Sequence, residues 1–331
     1  MEKQGILLES GTNELELVEF GIKSNNIQGN KNLAIESFGI NVAKVREIIK
    51  VPSIISIPTS HASIKGVFNL RNRVIPLIDL AHWLQMEKDD EDLKKNRVIV
   101  TQFNGAFFGF LVGNVNRIYR VSWEEVEPPS ENVLFDMNDE CITGWIKMPD
   151  RIILMLDFEK IVADINPNLA IKSMESIENT EEKEEEKLEE ITVLIAEDSQ
   201  TLRTLLKDTL EPAGYKVIMT NNGKEAWERL EDIFLPLAKD SNTPINEVIN
   251  LVITDIEMPQ MDGHHLIKKI RQHPELQSLP LIIFSSLINE EIRRKGETVG
   301  ADGQITKPEL GILADFARNL LKQKRAEIKN P

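Results

Sequence analysis

The sequence predicts two folding units: an all-β first half that closes as a barrel or sandwich, and an α/β second half built on an open parallel sheet. Three observations carry this. Short alternating or apolar segments, separated by Gly, Pro, Asn and Asp clusters, recur through the first half. Beyond residue 190, apolar runs instead alternate with helical patterns. Between them lies the acidic, low-complexity run 175–190. At 331 residues, each half is long enough to bury its own core.

In the first half, residues 14–20, 33–38 and 97–103 alternate polar and apolar, as half-buried strands do. Residues 107–112, 141–146 and 151–156 are more continuously apolar and add three further strands. Residues 38–49 form a short amphipathic segment, and residues 64–80 a very apolar strand punctuated by Arg71, Arg73 and Pro76. This half contains no acid pair, no Ser/His constellation and no Gly-rich phosphate loop. Its composition is that of a binding module. The linker, residues 166–190, is compatible with a solvated helix or an extended, self-repelling tether.

In the second half, residues 191–196 form a buried-strand pattern that stops at Glu197-Asp198. Ser199 follows, then a helix with Leu202, Leu205, Leu206 and Leu210 on one face. A second helix is expected near 224–235. The polar stretch 236–247 after it is longer than usual for an αβ connection and reads as a surface excursion. Residues 251–254 then end at Asp255, residues 281–284 at Ser285-Ser286, and residues 303–306 at Lys307-Pro308. Open parallel sheets bind ligands beyond the carboxyl ends of their strands.

If these strands lie side by side, three carboxylates, a hydroxyl and an ammonium converge. Clustered like charges need a cation, and hard oxygen donors suit Mg²⁺. Phosphoryl transfer uses such a set: a carboxylate nucleophile, a divalent ion, and donors for the phosphoryl oxygens. Taken singly, Asp255 is an ordinary turn aspartate, Lys307 a solvated lysine and Ser285 unremarkable. Their common position at strand ends is what singles them out.

Glu197-Asp198, the stretch from Asp255 through Glu257 to Asp262-Gly263, Ser285-Ser286 and Lys307-Pro308 together resemble the receiver domain of two-component response regulators, over about residues 191–325. The resemblance implies a doubly wound, flavodoxin-like sheet of five parallel strands. It makes Asp255 the acceptor of a phosphoryl group from a partner kinase's phosphohistidine. It also implies that Glu197, Asp198, Asp255 and the backbone carbonyl of Glu257 hold Mg²⁺, that Ser285 and Lys307 contact the phosphoryl oxygens, and that the Lys307–Pro308 bond is open to the cis form. The Glu257 side chain would then flank the approach of water. Gln304 stands where many receivers carry an aromatic switch residue. Phosphatases of the haloacid-dehalogenase type also use an acid pair at a strand end, but after the first strand, a place already taken here by Glu197-Asp198.

The words at 38–49 and 64–80 resemble the CheW-like coupling domain of bacterial chemotaxis, over about residues 10–165. That resemblance implies a double barrel of two small five-stranded sheets. It also implies docking to the CheA histidine kinase and to the cytoplasmic tips of chemoreceptors, with Glu47 and Arg71 as interface candidates. The alternative is that Arg71 caps a strand and Glu47 lies on a solvated helix face. Asn72 replaces the family's usual glycine and tolerates the left-handed backbone of such a turn.

Thirty-nine basic against 54 acidic side chains, a formal charge of −15, argue against a nucleic-acid partner. No apolar run suits a membrane span, and residues 1–5 lack a signal-peptide layout, so the expectation is a cytosolic protein bound to receptor arrays. Cys141 is expected to be a small buried side chain, and the five histidines packing or surface residues. The receiver following the coupling module predicts a chemotaxis coupling protein that is a phosphoprotein and not an enzyme. A phosphate sink for CheA and a metal-dependent phosphatase are the competing expectations.

Overall fold

The computed structural model describes residues 11–24, 34–58, 61–86, 95–103, 106–128, 141–165, 191–286 and 290–329. The acidic run lies outside them. Contacts divide the chain into two compact units, Leu15–Pro167 on one side and Met1–Glu14 with Asn168–Pro331 on the other.

The described residues of the first unit form eleven strands: β1 (Glu14–Ser24), β2 (Ala34–Asn41), β3 (Val45–Lys50), β4 (Ile64–Leu70), β5 (Arg73–Asp79), β6 (Arg97–Phe103), β7 (Ala106–Val112), β8 (Val115–Ser122), β9 (Val126–Glu127), β10 (Ile142–Lys147) and β11 (Ile152–Leu156). Two short helices, α1 (Leu80–Trp83) and α2 (Phe158–Ile165), follow β5 and β11. The strands form two sheets, in the orders β8-β1-β2-β11-β10-β9 and β3-β6-β7-β5-β4. The first thus carries six strands, the sixth being the two-residue β9.

Period-two alternation places two apolar faces on the central strands. Val98 and Val100 of β6 pack with Phe68, Ile75 and Leu77 inside one sheet, whereas Ile99 joins a larger cluster with Phe20, Phe38, Phe110 and Phe158. Phe110 and Phe158 have ring centroids 4.2 Å apart. Cys141 is buried in the same cluster.

The amphipathic stretch 38–49 is the end of β2, a single 3-10 turn at Val42–Lys44 and β3, so Glu47 lies on a strand and not on a helix. Residues 64–80 are not one strand but the hairpin β4–β5 running into α1. Its two turn residues, Arg71 (φ 51°) and Asn72 (φ 65°), are both left-handed. A two-residue hairpin turn needs that geometry to match strand twist.

In the second unit, β12 (Ile191–Ala196), β13 (Tyr215–Thr220), β14 (Leu251–Thr254), β15 (Leu281–Ser285) and β16 (Gly303–Thr306) are parallel, in the order β13-β12-β14-β15-β16. This is the doubly wound arrangement, with its reversal of strand order between β12 and β14. Successive residues feed opposite cores. Leu194, Ala196, Val252 and Ile283 face one layer, while Val193, Ile195, Leu251, Ile253 and Ile282 face the other. The helices are α3 (Gln200–Leu210), α4 (Gly223–Arg229), α5 (Leu235–Ser241), α6 (Ile245–Val248), α7 (Gly263–Gln272), α8 (Glu290–Val299) and α9 (Leu313–Lys329). Ser199, Asn222 and Asp262 cap α3, α4 and α7 through their side chains.

The stretch 236–247 is not a polar excursion. A π-helical turn, Leu230–Phe234, carries α4 into α5, and Leu235, Ala238, Ile245 and Ile249 enter the core. Pro236 sits in the first turn of α5, where its missing N–H matters least. No helix among the described residues is long and apolar enough to cross a membrane.

Residues 11–14 belong to this second unit. The Asn13 amide donates to the Gln260 carbonyl (3.1 Å) and accepts from the Asp262 N–H (3.1 Å), and His265 Nδ1 lies 3.0 Å from the Gly11 carbonyl.

Candidate functional site

Four parallel strands end at one rim, and each hands over one or two of the residues singled out above. Glu197 and Asp198 follow β12, Asp255 follows β14, Ser285 closes β15 and Lys307 follows β16. Glu197, Asp198 and Asp255 each offer a carboxylate oxygen within 4.8 Å of the others. Lys307 Nζ reaches Asp255 Oδ2 at 2.8 Å and Glu197 Oε2 at 3.1 Å. Ser285 is buried at the end of the strand beside β14. Glu257 lies two residues past Asp255 in the loop and is half-buried.

The backbone explains how Asp255 is held. The Asp255 N–H donates to the Ala196 carbonyl (2.9 Å), continuing the β12–β14 ladder one step past the strand. Asp255 Oδ1 accepts from the Ile256 N–H at 2.6 Å, so the carboxylate is fixed by its own following peptide on one side and by Lys307 on the other. The Gly263 N–H closes the loop on the Ile256 carbonyl at 2.9 Å. A Cβ at position 263 would fall 1.9 Å from the Asp255 carbonyl oxygen, so only glycine lets the loop return this closely to Asp255.

Glu197 is the most deeply enclosed of the acids, at 1% exposure. Its Oε1 accepts from the Ser199 N–H and from Lys307 Nζ (3.4 Å), while Oε2 is buried, lies 3.1 Å from the same ammonium and makes no hydrogen bond. Burial pushes the Glu197 carboxyl well above the usual range. Lys307 pulls it back, and the neighbouring Asp255 and Asp198 push it up further. An enclosed carboxylate oxygen lacking a hydrogen bond, two further acids within reach and hard oxygen donors throughout form a set that fits a divalent cation such as Mg²⁺.

Three further groups lie close to this rim, of which Arg203 was not singled out in the sequence. Arg203, in the first turns of α3, donates through Nη1 to the carbonyls of both Glu197 (2.7 Å) and Asp198 (2.8 Å). Its signal was an arginine five residues after an acid pair. His264 is buried with an unpartnered Nε2, and desolvation lowers its pKa to about 4. Asp262, also buried, is raised to about 6 by desolvation. Gln304 donates to the Arg293 carbonyl of α8 at 2.7 Å and packs against Gly296, which ties β16 to α8.

In the first unit the structure brings the other two candidates together. Arg71 Nη2 lies 3.1 Å from Glu47 Oε2, pairing β3 with the β4–β5 turn. These lie at opposite edges of the β3-β6-β7-β5-β4 sheet, which must therefore curl toward closure. Arg71 does not cap a strand but occupies the turn. Exposed apolar side chains on the same sheet and its flanking segment include Ile48, Ile55 and Val74.

Fold and rim together define the class: a β coupling module joined in one chain to a phosphorylatable receiver. Residues 32–166 match the CheW-like domain, and residues 193–313 match the response regulator receiver domain. Chemotaxis protein CheV3 of Helicobacter pylori is 34% identical over 304 residues, covering 91% of this chain and 94% of the relative. Chemotaxis protein CheV2 of the same organism is 27% identical, over 86% of this chain and 90% of its own. Chemotaxis protein CheW of Treponema pallidum is 28% identical over 39% of this chain and 77% of its own length. The chain belongs to the CheV family of chemotaxis proteins. It is a chemotaxis coupling protein.

Proposed function

We propose that Asp255 accepts a phosphoryl group from the CheA histidine kinase and that its phosphorylation tunes how the CheW-like unit couples that kinase to chemoreceptors. The observation that carries this reading is the acceptor geometry: Asp255 is held at one oxygen by the Ile256 N–H and at the other by Lys307, 2.8 Å away. Lys307 offers positive charge where phosphoryl oxygens would sit, and Ser285 a hydroxyl from the adjacent strand end. Glu197, Asp198, Asp255 and the Glu257 carbonyl would hold Mg²⁺. When bound, the ion would screen the carboxylates from one another and from the incoming phosphoryl group. The chain's own share of the chemistry is positioning, which for aspartyl phosphate formation and loss is most of what is required.

On the CheW-like unit, the Glu47–Arg71 pair and the apolar side chains Ile48, Ile55 and Val74 form the surface we assign to kinase and receptor docking, in the cytoplasm at receptor arrays. The apolar members would carry more of the affinity than the exposed charges. The test is label transfer. Incubation with autophosphorylated CheA and Mg²⁺ labels the wild-type chain and not Asp255→Asn. Equal labelling of Asp255→Asn would overturn the assignment. Unchanged receptor-coupled kinase activity in Asp255→Asn, with phosphate not limiting, would reduce the receiver to a phosphate sink.

A further inference from the structure

We infer that Arg203 is the positioning residue of the acidic rim: one guanidinium nitrogen fixes the peptides that carry Glu197 and Asp198, and so presets both carboxylates for a divalent cation. The inference rests on the cation-binding reading above and adds a residue outside the ligand set.

The geometry restricts the alternatives. Glu197 is anchored at its N–H by the Thr220 carbonyl (3.2 Å), at its own carbonyl by Arg203 Nη1 (2.7 Å) and at Oε1 by the Ser199 N–H (3.2 Å). Three of its polar groups are thereby fixed, and the one left without a hydrogen bond is Oε2, the buried atom on the side of Asp255 and Lys307. Asp198 has its carbonyl held by the same nitrogen at 2.8 Å. With both carbonyls turned toward the guanidinium, the two peptide planes are set, and the carboxylates are aimed from a fixed backbone. Arg203 can reach both because α3 begins directly after Ser199, which caps it, and the Arg203 N–H in turn donates to the Ser199 carbonyl at 2.9 Å. Acid pair, cap and clamp are therefore one local unit.

A positioning role and a purely electrostatic one predict opposite signs. A guanidinium beside the rim repels a dication, so if Arg203 acted only through its charge, removing it would tighten cation binding. If it acts by holding the ligands' backbone, removing it loosens binding, and groups supporting metal ligands in this way typically account for about 10- to 100-fold in affinity.

The experiment is calorimetric titration of the full chain with MgCl₂ for wild type, Arg203→Ala and Arg203→Lys, with thermal unfolding measured alongside. The expected result is a Kd for Mg²⁺ raised about 10- to 100-fold in Arg203→Ala, in line with other groups that support metal ligands. Arg203→Lys, whose ammonium lacks the planar fork, falls between. Phosphorylation by a small phosphodonor should need correspondingly more Mg²⁺ while reaching the wild-type rate at saturation. Unchanged or tighter Mg²⁺ binding in a folded Arg203→Ala or Arg203→Lys overturns the inference and leaves the site reading intact. Failure of the wild type to bind Mg²⁺ overturns the site reading itself. If Arg203→Ala does not fold, the Arg203→Lys titration decides.

Discussion

Each unit of the chain presents a lysine or arginine paired with acids, yet the two pairings differ in surroundings. Arg71 and Glu47 meet at 3.1 Å with side chains 80% and 28% exposed. Lys307 meets Asp255 at 2.8 Å and Glu197 at 3.1 Å with all three side chains at most 15% exposed. In water the first pair gains little, because solvent screens the attraction and two long side chains lose freedom. In the rim the attraction is strong, but so is the desolvation it must offset, and the second acid keeps one oxygen without a hydrogen bond. The comparison shows that charge pairing by itself does not mark a site. Incomplete compensation in an enclosed place does, because a ligand can supply what is lacking.

Three tests sharpen that contrast. The largest effect is expected at Gly263, whose replacement by alanine drives a Cβ into the Asp255 carbonyl. We expect Gly263→Ala to destabilise the receiver by about 3 kcal/mol, the upper part of the range for overpacked positions, while the CheW-like unit unfolds at its usual midpoint. A chemical denaturation profile with separate probes for the two units checks this. A receiver as stable as wild type would show that the loop can retreat from the acceptor.

An intermediate effect is expected from Glu197 as pH changes. Its carboxyl is raised in the folded state, chiefly by burial, so folding takes up a proton. The stability this provides is complete below the unfolded value of 4.5 and is lost as pH rises through the folded value. Asp262, raised to about 6 by burial, acts in the same sense, whereas His264, lowered to about 4 by burial, loses its contribution as pH falls. Both are common to wild type and Glu197→Gln, so the difference between the two isolates Glu197. In chelator-treated protein, Glu197→Gln should gain stability over wild type as pH rises above 4.5. A pH-independent difference in urea midpoints would contradict it.

The smallest effect is expected at the exposed pair. A double-mutant cycle of Glu47→Ala and Arg71→Ala should give a coupling of under about 1 kcal/mol in stability, decreasing with salt. A larger, salt-insensitive coupling would mean that the pair is structurally enclosed after all.

Much of the receiver was legible because parallel strands buried on both faces read as continuous apolar runs, and the residue ending each run stands at the rim. Asp255, Ser285 and Lys307 could be placed that way before any coordinate. The first unit was less legible. Its 64–80 stretch is apolar throughout, and only the left-handed backbone at Arg71 and Asn72 splits it into a hairpin. The segment 236–247 was misjudged because its polar composition hides four apolar residues spaced to reach the core, counting the flanking Leu235 and Ile249.

The sequence by itself determined which chemical groups end which strands, since period and apolar content are local properties of the chain. Tertiary structure alone decided that Glu197 would be enclosed without a full complement of partners, that Arg203 would grip the peptides of two acids, and that Asn13 would join a loop almost 250 residues away. Those facts depend on how far each polar group lies from water and from its neighbours in space, and burial and distance are properties of the folded chain that no local pattern encodes.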